Sequence, residues 1–428
     1  MPRLRNVNYE AMTAADRRLL LARSAVPDRS VRDGAVAICD DVAERGDVAV
    51  SEYAERFGGG FRRVTNAEVD AACNASPPGL ISALEAAAGN VEAFHRAQLP
   101  RDLSVETVEG VQIVRKWTPL RRVGAYVPGG KAAYPSTVIM TAVPARVAGV
   151  EEVVVASPAA DDGTVDPAVL AACRVAGVDE IWVMGGAQAV AALAYGTETV
   201  RRVEKIVGPG SAWVTAAKLA VYGVCAIDLP AGPSEVLVIA DGSADPRLVA
   251  VDLLCQAEHG PDSPALLVTT SGRLVDEVEA ELDSILPELA RASILEQALT
   301  DHGWAITVAD LETAVEFAND YAGEHVTIMT EDPDSIAKAV TGAGSVYVGR
   351  WSPESAGDYA TGANHVLPTG GLAAACGPLS VQDFGSWRQE QRLTEAGLGR
   401  IVDIISTLAT AEGLTAHRLA AETRLENR

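Results

Sequence analysis

Glu152-Val153-Val154-Val155-Ala156 is followed by the Ala-rich stretch Pro167 to Ala176 and then by Glu180-Ile181-Trp182-Val183-Met184. A short apolar run without polar alternation predicts a strand buried on both faces, and the Ala-rich segment between two such runs predicts a crossover helix. Together they predict a parallel sheet covered by helices. Working outward, Gly185-Gly186 turns into a helix from Ala187 to Tyr195, and Lys205-Ile206-Val207 is a further strand. A second block has the same rhythm. Val236-Leu237-Val238-Ile239-Ala240 is a strand, Pro246 to Glu258 a helix and Ala265-Leu266-Leu267-Val268-Thr269 a strand. A long helical segment from Val275 to Leu299 and strands near Ala305 and Val326 complete it. The first 115 or so residues read as helical, with apolar residues at helical spacing over Val31 to Phe57 and Pro78 to Leu99 and a break at Phe57-Gly58-Gly59-Gly60-Phe61. The tail from about Val381 reads as helical and charged. It holds too few apolar residues for a core of its own and is expected to pack on something else.

With 428 residues the chain is long enough for two or more cores. The expected organisation is a helical region with the start of the first α/β domain over 1–118, α/β domains over 119–236 and 237–380, and the helical tail over 381–428. Hydrophobic residues at 48% and charged residues at 22% describe a folded globular protein. The formal net charge of −23 opposes binding to a phosphate backbone or an anionic membrane surface. The start, Met1-Pro2-Arg3-Leu4-Arg5, lacks the apolar core of a signal peptide, and no apolar run is long enough to span a bilayer. The six cysteines form no CxxC pair, so a disulfide framework is not expected and the cytoplasm is the expected compartment.

Six histidines stand at 95, 259, 302, 325, 365 and 417, each to be judged by its company. Gln256 and His259 lie three apart at the end of a helix that Gly260-Pro261 terminates, so both point to one side. Such a histidine most often meets the helix dipole, and the sharper reading is a pair of metal ligands. Glu324-His325 sets a carboxylate beside an imidazole, two groups able to handle protons, although in a regular strand they would face opposite ways. Both reach one site if they sit in the turn after Gly323. Ser355 to His365 has neither periodicity, is rich in Gly and small polar residues, and reads as a site loop carrying Asp358 and His365. Glu412 and His417 lie in the polar tail. His95 and His302 are read as structural. The glycine turns at 126–130, 185–188 and 208–211 suit phosphates or simply tight turns, and none is a GxGxxG fingerprint.

In order along the chain stand YVPGG (126–130), GGAQAVAAL (185–193), GPGSAW (208–213), LPAGPSEVLVIAD (229–241), QAEHGPDSP (256–264), GEHVTIM (323–329), GSVYVGRWSPESAGDYATGANHVLP (344–368) and EGLTAHRLA (412–420). Taken together these segments resemble the histidinol dehydrogenase family over almost the whole chain, the QAEHGPD and SPESAGDYATGANHVLP stretches being the most diagnostic. The resemblance implies two incomplete Rossmann-like units with helical terminal parts, and a homodimer whose tail reaches into its partner's site. It implies oxidation of L-histidinol through the aldehyde to L-histidine with two NAD. By matching segments it implies zinc ligands at Gln256, His259, Asp358 and His417, and a catalytic pair at Glu324 and His325. It also implies substrate contacts at Ser234, His365 and Glu412 besides the zinc ligands and His325, and NAD contacts at Tyr126, Gln188 and Ser211. Two positions depart from the family pattern: Ser211 replaces an asparagine and has less reach, and Gly323 replaces a proline before the catalytic pair.

The donor set that the resemblance implies, amide oxygen, imidazole and carboxylate without thiolate, is borderline in hardness, so zinc fits and manganese or cobalt could substitute. Two rival readings are a related zinc dehydrogenase acting on another alcohol, and a thiol-dependent aldehyde dehydrogenase using Cys225 or Cys255. A metal-binding module without catalysis would leave Glu324 and His325 idle.

Overall fold

The computed structural model describes residues 3–129, 133–160 and 162–426. Gly130 of the turn quoted above lies outside them. Two six-stranded sheets form the frame. In the first, the order is Arg62–Arg63, Glu180–Val183, Glu152–Ser157, Arg122–Tyr126, Lys205–Val207, Ala226–Ile227. In the second, it is Arg5–Asn8, Gly303–Thr307, Ala265–Thr269, Val236–Ala240, Gly323–Met329, Ala343–Val348. The two orders are the same: third, second, first, fourth and fifth strand of each unit, with an amino-terminal strand added at the edge. All pairs are parallel except Arg62–Arg63, which runs antiparallel to its neighbour.

Strand residues divide by parity between the two faces, as a pleat requires. Val153 and Val155 enter one core while Val154 and Ala156 enter the other. In the second unit Val236, Val238 and Ala240 face one way and Leu237 and Ile239 the other. Burial on both sides is why these runs lack polar alternation. In the second unit, side-chain caps set the starts of the crossover helices. Asp245 accepts from the Arg247 amide, Ser271 from Leu274, Asp310 from Thr313 and Asp332 from Ser335.

Several elements differ from the sequence expectation. Val31 to Phe57 is two helices, Arg29–Arg45 and Asp47–Phe57, because Gly46 at φ 56° breaks the run. The segment Val275 to Leu299 is likewise split, by the turn at Leu286-Pro287-Glu288. The first 115 residues are not all helical. Leu103–Val108 and Val111–Pro119 form an antiparallel hairpin, and Arg5–Asn8 crosses to the edge of the second sheet. The tail begins with a short helical turn, Val381–Phe384, and then a strand, Gly385–Leu393, paired with Val111–Pro119 of the same chain. Two helices follow, Glu395–Ala411 and Thr415–Glu426, which pack on each other. They bury little and leave Ile404, Leu408, Leu414 and Leu419 exposed. No described helix is long and apolar enough to cross a membrane.

Candidate active site

Helix Pro246–Ala257 runs back against its sheet, so its carboxyl end arrives at the edge where strands begin. Gln256 and His259 stand there. Gln256 is completely buried, and among the described residues neither Oε1 nor Nε2 of its amide has a hydrogen-bond partner. Two orphan polar atoms in a core are costly, and their presence points to a group that binds there. The segment after Ala343–Val348 forms a short helix, Glu354–Tyr359, where sequence reasoning expected a loop. It packs on the helix of Gln256 and brings Glu354 and Asp358 to the same place. The ligand atoms of His259, Glu354 and Asp358 lie within 4.8 Å of one another. His259 Nε2 stands 3.8 Å from Glu354 Oε1, too far for a hydrogen bond but within the span of two ligands sharing one ion at about 2.1 Å each.

Glu354 is the residue that the sequence reading missed. It is fully buried with both carboxylate oxygens unpartnered among the described residues. The available signal was its position four before Asp358, the spacing that shares a helix face, hidden because six helical residues show no periodicity. Burial and the neighbouring carboxylates, Asp358 first, push its carboxyl well above the usual range. Burial also raises Asp358, to about 6, and Asp252 one turn before Gln256, to about 7. A bound divalent cation opposes all three shifts.

The proton-handling pair starts the strand Gly323–Met329, next to the edge strand of its sheet, rather than lying in a turn before it. The sharp change of direction falls on Ala322, at φ 46°, and not on Gly323. Glu324 Oε2 accepts from Ser234 Oγ at 2.5 Å and from the Glu235 amide at 3.0 Å. His325 Nδ1 lies 3.2 Å from the Glu235 carbonyl and 3.7 Å from Glu324 Oε2. The two side chains meet despite strand alternation because Ser234-Glu235, just before the neighbouring strand, gathers both. A carbonyl only accepts, so Nδ1 carries the proton and Nε2 keeps its lone pair. That Nε2 is buried and unpartnered among the described residues. Burial, followed by the charge of His259, lowers the imidazole to about 3, so it stands neutral as a base. Burial pushes the Glu324 carboxyl well up, the hydrogen bonds from Ser234 and Glu235 opposing it.

His365 joins the same region. Its Nδ1 is 3.2 Å from the Asp358 carbonyl, and burial lowers it to about 4. Gln256, His259, Asp358, Glu324, His325, Ser234 and His365 thus converge within one chain. Glu412 and His417 do not join them: both are exposed, one ending helix Glu395–Ala411 and the other on helix Thr415–Glu426. His95 is a core residue, with Nδ1 donating to the Val91 carbonyl at 2.8 Å.

The glycine turns gather at the carboxyl ends of the first sheet. A cavity of about 390 Å³ there is lined by Pro158, Gly185, Gly186, Gln188, Ser211 and Trp213, among others. Tyr126 ends its strand behind this cavity and accepts from the Gly186 amide at 3.1 Å. Helices Gly186–Tyr195 and Ala212–Val221 begin at it, and neither has a side-chain cap. Apart from the Gly186 amide, which the Tyr126 hydroxyl holds, their first-turn amides suit an anionic phosphate. The thiols offer no comparable reagent: burial raises Cys225 to about 11 and pushes Cys255 higher still.

A family model described as histidinol dehydrogenase matches residues 21–425. Among curated proteins, histidinol dehydrogenase of Parasynechococcus marenigrum is 44% identical over 427 residues, covering 99% of this chain and 98% of its own. That of Rhizobium meliloti is 48% identical over 394 residues, 91% of each. The crystal structure of histidinol dehydrogenase from Elizabethkingia anophelis superposes with a TM-score of 0.93 at 36% identity, covering 100% of this chain and 99% of that one.

Proposed function

Because the chain belongs to the histidinol dehydrogenase family, whose NAD-linked, zinc-using oxidoreductases catalyse the final steps of histidine biosynthesis, we propose that the buried cluster around His325 and His259 is the site of that oxidation. The carrying observation is His325, whose Nδ1 is committed to a carbonyl while its buried Nε2 is free. Such a group has no structural use for its second nitrogen.

The residues fit a metal. Gln256, His259 and Asp358 would hold zinc, with His417 brought by the tail of a second copy. Bound zinc would orient the imidazole and amine of L-histidinol, the template role among those a metal can play. His365, Ser234 and the second copy's Glu412 complete the substrate contacts in this reading. His325 Nε2 takes the hydroxyl proton as a hydride leaves the carbon for NAD, giving the aldehyde. Glu324 takes a proton from water as it adds to the aldehyde, while His325 returns its proton to the carbonyl oxygen, giving the hydrate and a neutral His325 again. His325 takes a hydroxyl proton of the hydrate as the second hydride leaves, giving L-histidine and a second NADH. Positioned acid–base groups of this kind contribute about 10²–10⁴-fold each. Tyr126, Gln188 and Ser211, at the glycine turns of the first sheet, would hold NAD. The shared site makes a homodimer, and the exposed apolar residues of the tail support it.

The test is stoichiometry. Two NADH should form for each L-histidinol, activity should vanish on chelation and it should return with zinc. One NADH per substrate, or full activity in the chelated enzyme, would refute the proposal.

A further inference from the structure

Both catalytic side chains are held by the main chain of one residue, Glu235. Its amide donates to Glu324 Oε2 at 3.0 Å, and its carbonyl lies 3.2 Å from His325 Nδ1 and accepts from the His325 amide at 3.2 Å. The Glu235 side chain has a separate set of partners and is itself buried. Its Oε2 accepts from Arg23 and from the Tyr321 hydroxyl at 3.4 Å, and its Oε1 accepts from the Gly370 amide at 3.1 Å. Arg23 also donates to the Tyr321 carbonyl and stacks over the Tyr321 ring, 3.3 Å from its centroid.

The connections have a direction. Tyr321 is the last residue of the helix before the catalytic strand, and Ala322 makes the left-handed step into it. Glu235 immediately precedes the neighbouring strand Val236–Ala240, and Gly370 follows the segment that carries His365. Arg23 comes from the amino-terminal segment, more than two hundred residues earlier. One guanidinium thus pins the two chain segments that aim Glu324 and His325. A rigid planar fork suits this task, since its donors meet a carboxylate and a carbonyl together.

We infer that the Arg23–Glu235 pair is a positioning device, which fixes the tautomer and direction of the His325 ring through the Glu235 peptide and touches neither metal nor substrate. The inference rests on the proposed role of His325. Misplacement of a reacting group by about 1 Å costs on the order of 10²-fold, so the effect belongs in kcat.

The experiment uses the full zinc-loaded enzyme with Arg23→Met, Glu235→Gln, the double variant and the milder Arg23→Lys. Each single loss should lower kcat about 10–100-fold. KM for L-histidinol and zinc content should stay within about threefold, since the binding groups are untouched. The double variant should lose no more than the worse single one, because the two act as a unit. Arg23→Lys keeps the charge but loses the fork and should fall between. If Arg23→Met does not fold, Arg23→Lys and Glu235→Gln carry the comparison. Nitrogen NMR of the His325 ring should show one tautomer in the parent and a mixture in the variants. This readout holds even if L-histidinol proves not to be the substrate. An unchanged kcat and ring spectrum in folded variants would overturn the inference. So would losses that multiply in the double variant, or a loss of zinc that accounts for the fall in activity.

Discussion

Gln256→Met separates a ligand from a core residue. Methionine is unbranched and close in length to glutamine, so it fills the same space without polar atoms at its end. In the metal-free protein two buried amide atoms go unpartnered among the described residues. Removing them should stabilise the apoprotein by about 1–3 kcal/mol. With an unfolding entropy of about 2.1 cal/mol/K per residue over 428 residues, the melting point should rise by about 1–3 °C. Zinc works against that advantage. At a hundredfold excess over its dissociation constant, a ligand stabilises the parent by about 2.7 kcal/mol. A 10–100-fold weaker site retains only about 0.4–1.4 kcal/mol under the same conditions. Calorimetry in chelator and then in zinc should therefore find the variant ahead in the first and its metal-induced shift reduced in the second. A variant less stable than the parent in chelator, or an undiminished zinc shift, would show that Gln256 serves the core.

Three further outcomes follow from the same contacts. His325→Asn should slow both oxidations by about 10²–10⁴-fold, whereas Glu324→Gln should slow oxidation of the aldehyde far more than that of the alcohol; single-turnover assays on each half-reaction decide, and equal losses in Glu324→Gln would contradict the water-activating role. Chains carrying His417→Ala and His259→Ala, each inactive, should regain activity when mixed and allowed to exchange, towards about one quarter of the parent at equal mixing, because half of the dimers are mixed and each has one whole site; exchange verified by mass spectrometry without recovery would mean that the tail serves its own chain. At the edge of the first sheet, burial favours a neutral Glu180, but Arg122 and then Arg201 outweigh it and hold the carboxyl down to about 2. A depressed carboxyl stabilises the fold above its unfolded value of 4.5, and the contribution disappears as pH falls towards 2. Allowing for solvent screening, Glu180→Gln should cost about 1–3 kcal/mol at neutral pH and almost nothing near pH 2, and parallel denaturation curves across that range would contradict the ion pair's role.

The sheets were legible because two-sided burial leaves continuous β-branched runs, and Val153 to Val155 and Val236 to Ile239 could hardly be anything else. The hairpin at 103–119 and strand Gly385–Leu393 escaped because they face solvent on much of their surface and carry Arg, Lys, Gln and Glu. Their pairing is fixed by a partner far away in sequence, which no local pattern announces. Arg5–Asn8 is too short to signal a strand at all. At the site, Gln256 and His259 were visible through helical spacing and the Gly-Pro stop. Glu354 and Arg23 were not, because the burial that gives a carboxylate or a guanidinium its meaning is a tertiary property. The family resemblance supplied His417 and Glu412, for which a single chain offers no geometric support.

The two units share one strand order, yet their strand-to-helix turns have been filled differently. In the second unit the helices that directly follow its first four strands begin after Asp245, Ser271, Asp310 and Asp332, and each of these turns its own side chain onto the amides behind it. Three carboxylates and a hydroxyl therefore occupy the seats that a pyrophosphate would need, and the carboxylates repel it besides. In the first unit Asp166 does the same for helix Pro167–Val175, but Gly185 and Ser211 set no side chain on the amides behind them. On the function proposed above, a chain with two halves of one topology would take its dinucleotide in the first half. On the same proposal, the second half would work from the opposite edge of its sheet, where the strands begin and His325 and Gln256 meet.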